Sequence, residues 1–326
     1  MEEVRTFVFP MSNKQPLVSI GLPVYNGENF VAEAIQCVLS QTFTDWELII
    51  SDNASTDRTV SICREFADKD SRIRVYENER NLGVSPNHNR VFQLSHGPYF
   101  MWIAHDDLIG AEFIESCLEV LETDDQAILA FPKLVHVDSQ GRPLRRQSSD
   151  LSILGSTPES RVIELMKLTA RSWDIAWVQY GLIRRSVLQQ TPLMGLYNGD
   201  DQVLLLDLAV RGQFRQVDKE LFFRREHAAA STLIRGWTAK EMATFAYADD
   251  KRTLVLPNCN LLKEHLVWLW NSSIPFWGKL RCAAAVMMRF RRQWKDIARE
   301  LVNSPLEVLR AKLGRITGSL RKQLSP

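Results

Sequence analysis

The chain has five cysteines, at 37, 63, 117, 259 and 282, but no C-x-x-C pair, and their wide spacing speaks against a zinc ribbon or a redox dithiol. Cys37, Cys63 and Cys117 fall within helical patterns and read as small buried apolar residues. No uncharged apolar run approaches the roughly 18 residues that a bilayer span needs. The opening MEEVRTFVFP is acidic and does not have the basic-then-apolar layout of a signal peptide. The expectation is a chain of the reducing cytoplasm. Glycine-rich phosphate loops are also absent: there is no G-x-x-x-x-G-K-[ST], and the first strand pattern leads into GLPVYNGEN rather than G-x-G-x-x-G. ATP hydrolysis and hydride transfer are therefore poorly supported. A diphosphate bound here needs another holder, and the simplest is a divalent cation carried by carboxylates.

At 326 residues and 45% hydrophobic content, the chain has material for one main domain and an appendage. Its net charge is only +1, yet from Phe276 onward twelve basic residues face three acidic ones, so an acidic body carries a basic tail. From Leu17 short apolar runs alternate with amphipathic segments. LVSIGLPVY, WELIIS, RIRVYE and PYFMWIA read as strands; ENFVAEAIQCVLSQ, TDRTVSICREFADKD and SPNHNRVFQLSH read as helices between them. Such alternation predicts crossover units and an α/β fold with a mainly parallel sheet. The strands end on Tyr25 and Asn26, on Ser51 and Asp52, and on His105 and Asp106. Ligands bind beyond the carboxyl ends of parallel strands, so these residues are expected around one crevice. Further on, GAEFIESCLEVLETD, PESRVIELMKLTA and GDDQVLLLDLAVRG read as helices and AILAFPKLVHV as a strand. WVQYGLIRRSVL reads as strand then helix, and FRQVDKELFFRREH as a strand pair. Beyond about Ala239 the strand signals vanish and the pattern is helical.

The adjacent Asp106 and Asp107 leave their strand pointing to opposite sides. One can meet a metal while the other meets a ribose or an amide; the alternative is a helix cap for the segment near Gly110.

VSIGLPVYNGENFVAEAIQCVLSQTFTDWELIISDNASTD, followed by NLGVSPNHNRVFQLSHGPYFMWIAHDD, resembles the start of the family 2 glycosyltransferases of the GT-A fold, over about Leu17 to His227. The resemblance implies that Pro23, Tyr25, Asn26 and Glu28 border a nucleotide-sugar pocket, that Asp52 accepts a hydrogen bond from the base, and that Asn89 supports the pocket. Asp57 matches the last position of the DNASTD motif. His105-Asp106-Asp107 stands where the family has D-x-D. The histidine is a departure, and it leaves Asp107 as the metal ligand and Asp106 as a ribose or metal-shell partner. The acidic pair opening GDDQVLLL implies Asp201 as general base, with Asp200 as rival; a carboxylate at a helix N-terminus is kept ionised by the dipole. His227 is implied as a metal or diphosphate ligand, with Arg224 and Arg225 adding charge for the leaving group. Trp173, Trp177, Tyr180 and Tyr197 flank the acceptor side, as stacking platforms or as core.

The implied activity is inverting, single-addition transfer from a nucleoside-diphosphate sugar, by family default a uridine one, with Mn2+ or Mg2+, to a saccharide or lipid-linked acceptor in cell-surface polysaccharide or glycolipid synthesis. The Q-x-x-R-W motif of processive synthases is absent, and RRQWK does not replace it. A sugar nucleotidyltransferase needs a glycine-rich basic opening loop that GLPVYNGEN does not supply; a non-catalytic glycan-binding or scaffold protein is the other alternative. The expected organisation is an extension over 1–16, a catalytic domain over 17–238 (donor half 17–107, acceptor half 108–238) and a helical region over 239–326. Residues 276–326 are expected either to pack on the domain or to meet an anionic membrane, on the inner face of the cell membrane. No nucleic-acid motif accompanies the charge.

Overall fold

A computed structural model of the chain describes residues 15–147, 149–171, 173–227 and 256–302. The expected extension lies outside these except for residues 15 and 16, as do residues 239–255 and 303–326 of the expected helical region.

The donor half follows the alternation. Strands β1 (Val18–Val24), β2 (Trp46–Asp52), β3 (Ile73–Glu77) and β4 (Tyr99–Trp102) are separated by helices α1 (Val31–Leu39), α2 (Thr59–Ala67) and α3 (Val84–Gln93). β1 and β2 are buried at every position, as strands covered on both faces must be. β1 pairs in parallel with β2 and β4, and β2 with β3, so Val24 lies opposite Asp52 and the carboxyl ends share one edge. Val31, Ala34, Ile35 and Val38 form the apolar stripe that seats α1 on this sheet.

The second half is mixed. It contains β5 (Leu108–Ile109), α4 (Phe113–Thr123), β6 (Ala127–Val137), β7 (Pro143–Arg146), α5 (Pro158–Arg171), a 3-10 stretch (Trp173–Tyr180), β8 (Leu182–Arg184), α6 (Arg185–Leu188), α7 (Asp200–Arg211) and β9 (Gln213–Arg225). The sheet order is β3-β2-β1-β4-β8-β6-β9-β5, with β7 on β6. β8 runs antiparallel to β4 and β6, and parallel pairing resumes between β6 and β9.

Two local expectations are corrected. WVQYGLIRRSVL begins as 3-10 helix and holds only a three-residue strand. FRQVDKELFFRREH belongs to one thirteen-residue strand, β9, rather than a pair. Asp218-Lys219-Glu220 looks like a turn but is a bulge: Phe131 pairs with Gln216 and Lys133 with Glu220, and between them Pro132 has no N–H to give the ladder.

The largest buried side chains, Phe100, Trp102, Phe113, Phe131, Phe214 and Phe222, fill the core between the sheet and its helices. Helices α8 (Pro257–Asn271) and α9 (Phe276–Phe290) form a hairpin packed on α5 and α7. Its hold on α7 is specific. Trp268 Nε1 donates to Asp207 Oδ1 at 2.9 Å, and the buried Arg289 donates to Gln202 Oε1 at 2.7 Å. At the other end of α7, Arg161 donates to the carbonyls of Ala209 and Val210, where the helix dipole is negative.

Candidate active site

The strand ends of the donor half are tied to one another. Asn26, just past β1, adopts a left-handed backbone (φ 49°); its amide donates to Ser55 Oγ and its side-chain oxygen accepts the Thr56 N–H at 2.9 Å. Asp57 accepts the Glu28 N–H at 3.1 Å and the Thr59 N–H at 3.0 Å, and Glu28 accepts the Arg58 N–H at 3.2 Å. Asp57 and Glu28 therefore clamp the β1–α1 loop to the start of α2. Pro23 is buried within β1 and Tyr25 is exposed at its mouth. Asp52 is buried: one carboxylate oxygen takes the Ser55 N–H at 2.9 Å, and the other has no hydrogen-bond partner. Burial raises its pKa, Ser55 opposing. A buried acceptor with a spare lone pair at the carboxyl edge suits an incoming N–H donor.

Beneath this edge runs a carboxamide network that the sequence reading did not single out. Asn53 donates to Asn81 and to the Gly83 carbonyl, Asn78 donates to Asn53 and Asn87, and Asn87 exchanges hydrogen bonds with Ser51. Asn89, one turn along α3, reaches the other half: its amide donates to the Met194 carbonyl at 2.8 Å and its oxygen accepts the Met194 N–H at 3.0 Å. It fixes the loop around Met194 to α3.

After β4 the three residues His105, Asp106 and Asp107 diverge. The His105 ring packs on Gly27, where an added Cβ would fall 2.6 Å from its Cδ2, so imidazole bulk is matched to a glycine in the β1–α1 loop. Asp106 Oδ2 lies 3.0 Å from His227 Nε2. Burial opposes its ionisation, but the hydrogen bond to His227 and the nearby imidazoles hold its pKa low. Asp107 turns inward and accepts the Arg225 N–H at 3.0 Å; burial, then the charge of Asp106, push its pKa up to about 8. His227 thus joins Asp106, not Asp107. Arg225 does not face the crevice. Its buried guanidinium donates to Glu33, the Asp106 carbonyl and the Ser139 carbonyl, and lies 4.7 Å from the Phe30 ring centroid. A guanidinium so committed holds the 105–107 turn in place, and the expected role at the leaving group does not fit it. The charge of Arg224 lowers the pKa of both Asp107 and Asp201 against the effect of burial.

Gly199 (φ 84°) turns the chain into α7, and a Cβ there would meet Leu261 of α8 at 2.8 Å. Asp200 Oδ1 accepts the Asp201 N–H at 3.0 Å, while its Oδ2 is buried with no hydrogen-bond partner; burial and the Asp201 charge push its pKa up to about 8. Asp201 accepts the Gln202 N–H at 2.8 Å. Burial raises its pKa, while that hydrogen bond and the charges of Arg224 and Arg289 pull the other way. Burial, then the charges of Asp107, Asp106 and Asp201, raise the pKa of the Tyr180 hydroxyl. Its ring stacks on Phe222 (5.8 Å, 16°), as does Trp177 (5.5 Å, 15°). Trp177 is 2% exposed and belongs to the core, which corrects its reading as an acceptor platform. Tyr197 is partly buried against the core, and the side chain of Trp173 lies outside the described residues.

A family profile described as Glycosyl transferase family 2 matches residues 19–191, more than half of the chain. The chain belongs to glycosyl transferase family 2. Among relatives, it is 33% identical over 111 residues to the putative teichuronic acid biosynthesis glycosyltransferase TuaG of Bacillus subtilis, covering 34% of this chain and 44% of that one. It is 24% identical over 220 residues to the chondroitin synthase of Escherichia coli, covering 67% and 30%. Matches of this kind span well under two thirds of the relatives' own lengths. In fold, this glycosyltransferase is similar to S. aureus TarS 1-349 in complex with UDP-GlcNAc (TM-score 0.63, 16% identity, 84% of this chain and 72% of that one). It is also similar to the mannosyltransferase PcManGT of Pyrobaculum calidifontis in complex with GDP-Man and Mn2+ (0.55, 16%, 97% and 83%). These likenesses establish the GT-A type α/β architecture.

Whether this glycosyltransferase suits a divalent cation depends on its donor set. Among the described residues no three His, Cys, Asp or Glu side chains form a ready cage. Magnesium and manganese commonly take only one or two protein carboxylates and complete their shells with phosphate oxygens and water. Asp106 with His227 Nε2 at 3.0 Å, and next to it Asp107, whose ionisation the Asp106 charge opposes, fit that incomplete set. Arg289 is the residue the sequence left unassigned: its signal was a lone arginine amid the apolar run AAAVMMRF, which places it on the buried stripe of α9.

Proposed function

We propose that this enzyme transfers a sugar from a nucleoside diphosphate, with uridine as the favoured base, to a hydroxyl of a saccharide or lipid-linked saccharide, one residue at a time and with inversion. The observation that carries the reading is the hydrogen-bonded pair of Asp106 and His227, Oδ2 to Nε2 at 3.0 Å, at the carboxyl edge of the sheet in a chain of glycosyl transferase family 2. The charges of Arg224 and Arg289, which pull the Asp201 pKa down against burial, favour Asp201 as the base over Asp200, whose carboxyl is pushed up to about 8.

In this reading Asp201 takes the acceptor O–H proton as the acceptor oxygen bonds to the anomeric carbon from the face opposite the diphosphate. The anomeric C–O bond breaks in the same step and its electron pair leaves with the diphosphate. Asp106 and His227, with Asp107 behind them, are the residues that would hold Mn2+ or Mg2+, which supplies charge neutralisation to the leaving group. Arg224 adds a fixed positive charge on the same side. The spare oxygen of Asp52 supports recognition of a base N–H. The names of the TuaG and chondroitin synthase relatives support a role in polysaccharide synthesis.

The test is incubation with Mn2+ and a panel of nucleotide sugars. The expected result is slow release of nucleoside diphosphate from one donor, abolished by Asp106→Asn. No release from any donor, with or without saccharide acceptors, would sink the proposal.

A further inference from the structure

The hairpin of α8 and α9 has two faces of different purpose. Its inner stripe, including Cys282, Ala285, Val286 and Arg289, packs on the catalytic domain. Its outer side should be polar if it only met water. Instead, eleven of the fifteen exposed large apolar side chains among the described residues lie in 256–302. Trp277, Leu280, Ala284, Met287 and Met288 recur at helical spacing along one exposed stripe of α9, with Arg291 just beyond its end. Trp270 at the end of α8 and Trp294 just beyond α9 extend it; Trp277 is 70% exposed, Trp270 66% and Trp294 59%.

Cations interleave with these side chains. Residues 256–302 carry eight basic and three acidic residues. Lys279 lies 5.9 Å from the Trp270 ring centroid and donates to the Trp270 carbonyl. Arg291 and Lys295 are exposed and have no ion-pair partner among the described residues. No helix among the described residues is long and apolar enough to cross a membrane. Exposed tryptophans and methionines set among outward lysine and arginine match the interface of a bilayer, with rings at the headgroup level and cations on anionic lipid. A patch of this kind is larger than scattered surface apolar residues account for.

We infer that the outer face of the α8–α9 hairpin docks on an anionic lipid surface. Binding is peripheral and in the plane of the interface, and it leaves the inner stripe on the catalytic domain. It stands independently of the donor and acceptor assigned above, because it can be read without turnover.

The experiment is co-sedimentation of the full chain with vesicles of phosphatidylcholine alone and of phosphatidylcholine mixed with phosphatidylglycerol, alongside the variants Trp277→Ser/Trp294→Ser and Arg291→Glu/Lys295→Glu. The wild type is expected to bind the mixed vesicles, to bind less as salt rises, and to shift its tryptophan emission to the blue. Each lost cation should weaken partitioning about fivefold, and the serine pair should remove the emission shift. Equal partitioning of wild type and both variants would overturn the inference. So would a salt-insensitive dimer in sedimentation velocity that Trp277→Ser/Trp294→Ser converts to monomer, since the face would then belong to a second copy.

Discussion

The donor half and the acceptor half hold their functional groups in different ways. In the donor half the loops after β1 and β2 are tied to each other by Asn26, Glu28 and Asp57, over a network of Asn53, Asn78 and Asn87, all supplied by residues between 17 and 107. The acceptor half borrows. Its acidic pair opens α7, whose grip comes from Arg161 on α5, Trp268 on α8 and Arg289 on α9, and whose preceding turn is packed by Leu261. The proposed nucleotide pocket is therefore tied together within a short stretch of chain, whereas the proposed base depends on a guanidinium 88 positions further along. The C-terminal hairpin thus packs on the helix that carries the proposed base.

The contrast can be broken at four places, ordered by expected loss of turnover. Asp201→Asn should slow turnover by about 100- to 10,000-fold while donor affinity by calorimetry stays near wild type; equal turnover would remove Asp201 as base. Arg289→Gln should come next, since it removes buried charged hydrogen bonds to Gln202 and Gln293. A loss of about 2–3 kcal/mol is expected in denaturant melts, together with lower turnover, and little change in the donor half's hydrogen exchange. Asn89→Ala cuts the pair of hydrogen bonds that joins the halves and should cost about 1–3 kcal/mol, read most directly as faster exchange of the Met194 amide.

Asp200→Asn should leave turnover nearest to wild type. Its effect is on stability against pH. Folding raises the Asp200 pKa, through burial and the Asp201 charge, to about 8, from the ordinary unfolded value of about 4. The neutral acid therefore favours the folded state, and that contribution is lost as pH rises from about 4 through about 8. The variant should melt higher than wild type above pH 8, with the gain vanishing near pH 4.

Much of the donor half was legible because its signals are local. Apolar runs such as VSIGLPV and WELIISD become strands buried on both faces, and their polar ends must then share an edge. The adjacent carboxylates at 106–107 and 200–201 are visible in the sequence, but locally a helix cap accounts for either pair, and their proposed roles come from the family resemblance. Less legible was anything that depends on how distant segments meet. The single strand β9 was hidden because Asp218-Lys219-Glu220 has turn composition, and only its pairing opposite Pro132 shows it to be a bulge. Arg225 read as free charge because nothing near it in sequence announces Glu33 or the Ser139 carbonyl. Trp177 read as a platform or as core, and the decision lay with Phe131 and Phe222. Arg289 carried no motif at all.

The most direct test of the borrowed-frame account is the pH dependence of kcat for wild type and Arg289→Gln at saturating donor. The groups bearing on Asp201 are Asp200, Tyr180, Arg224 and Arg289, and of these the two arginines hold its pKa down against burial. Removing one should raise it further, so the acid limb of the variant should move to higher pH while turnover recovers toward wild type on the alkaline side. An acid limb that stays in place, with turnover lowered equally at every pH, would contradict the account.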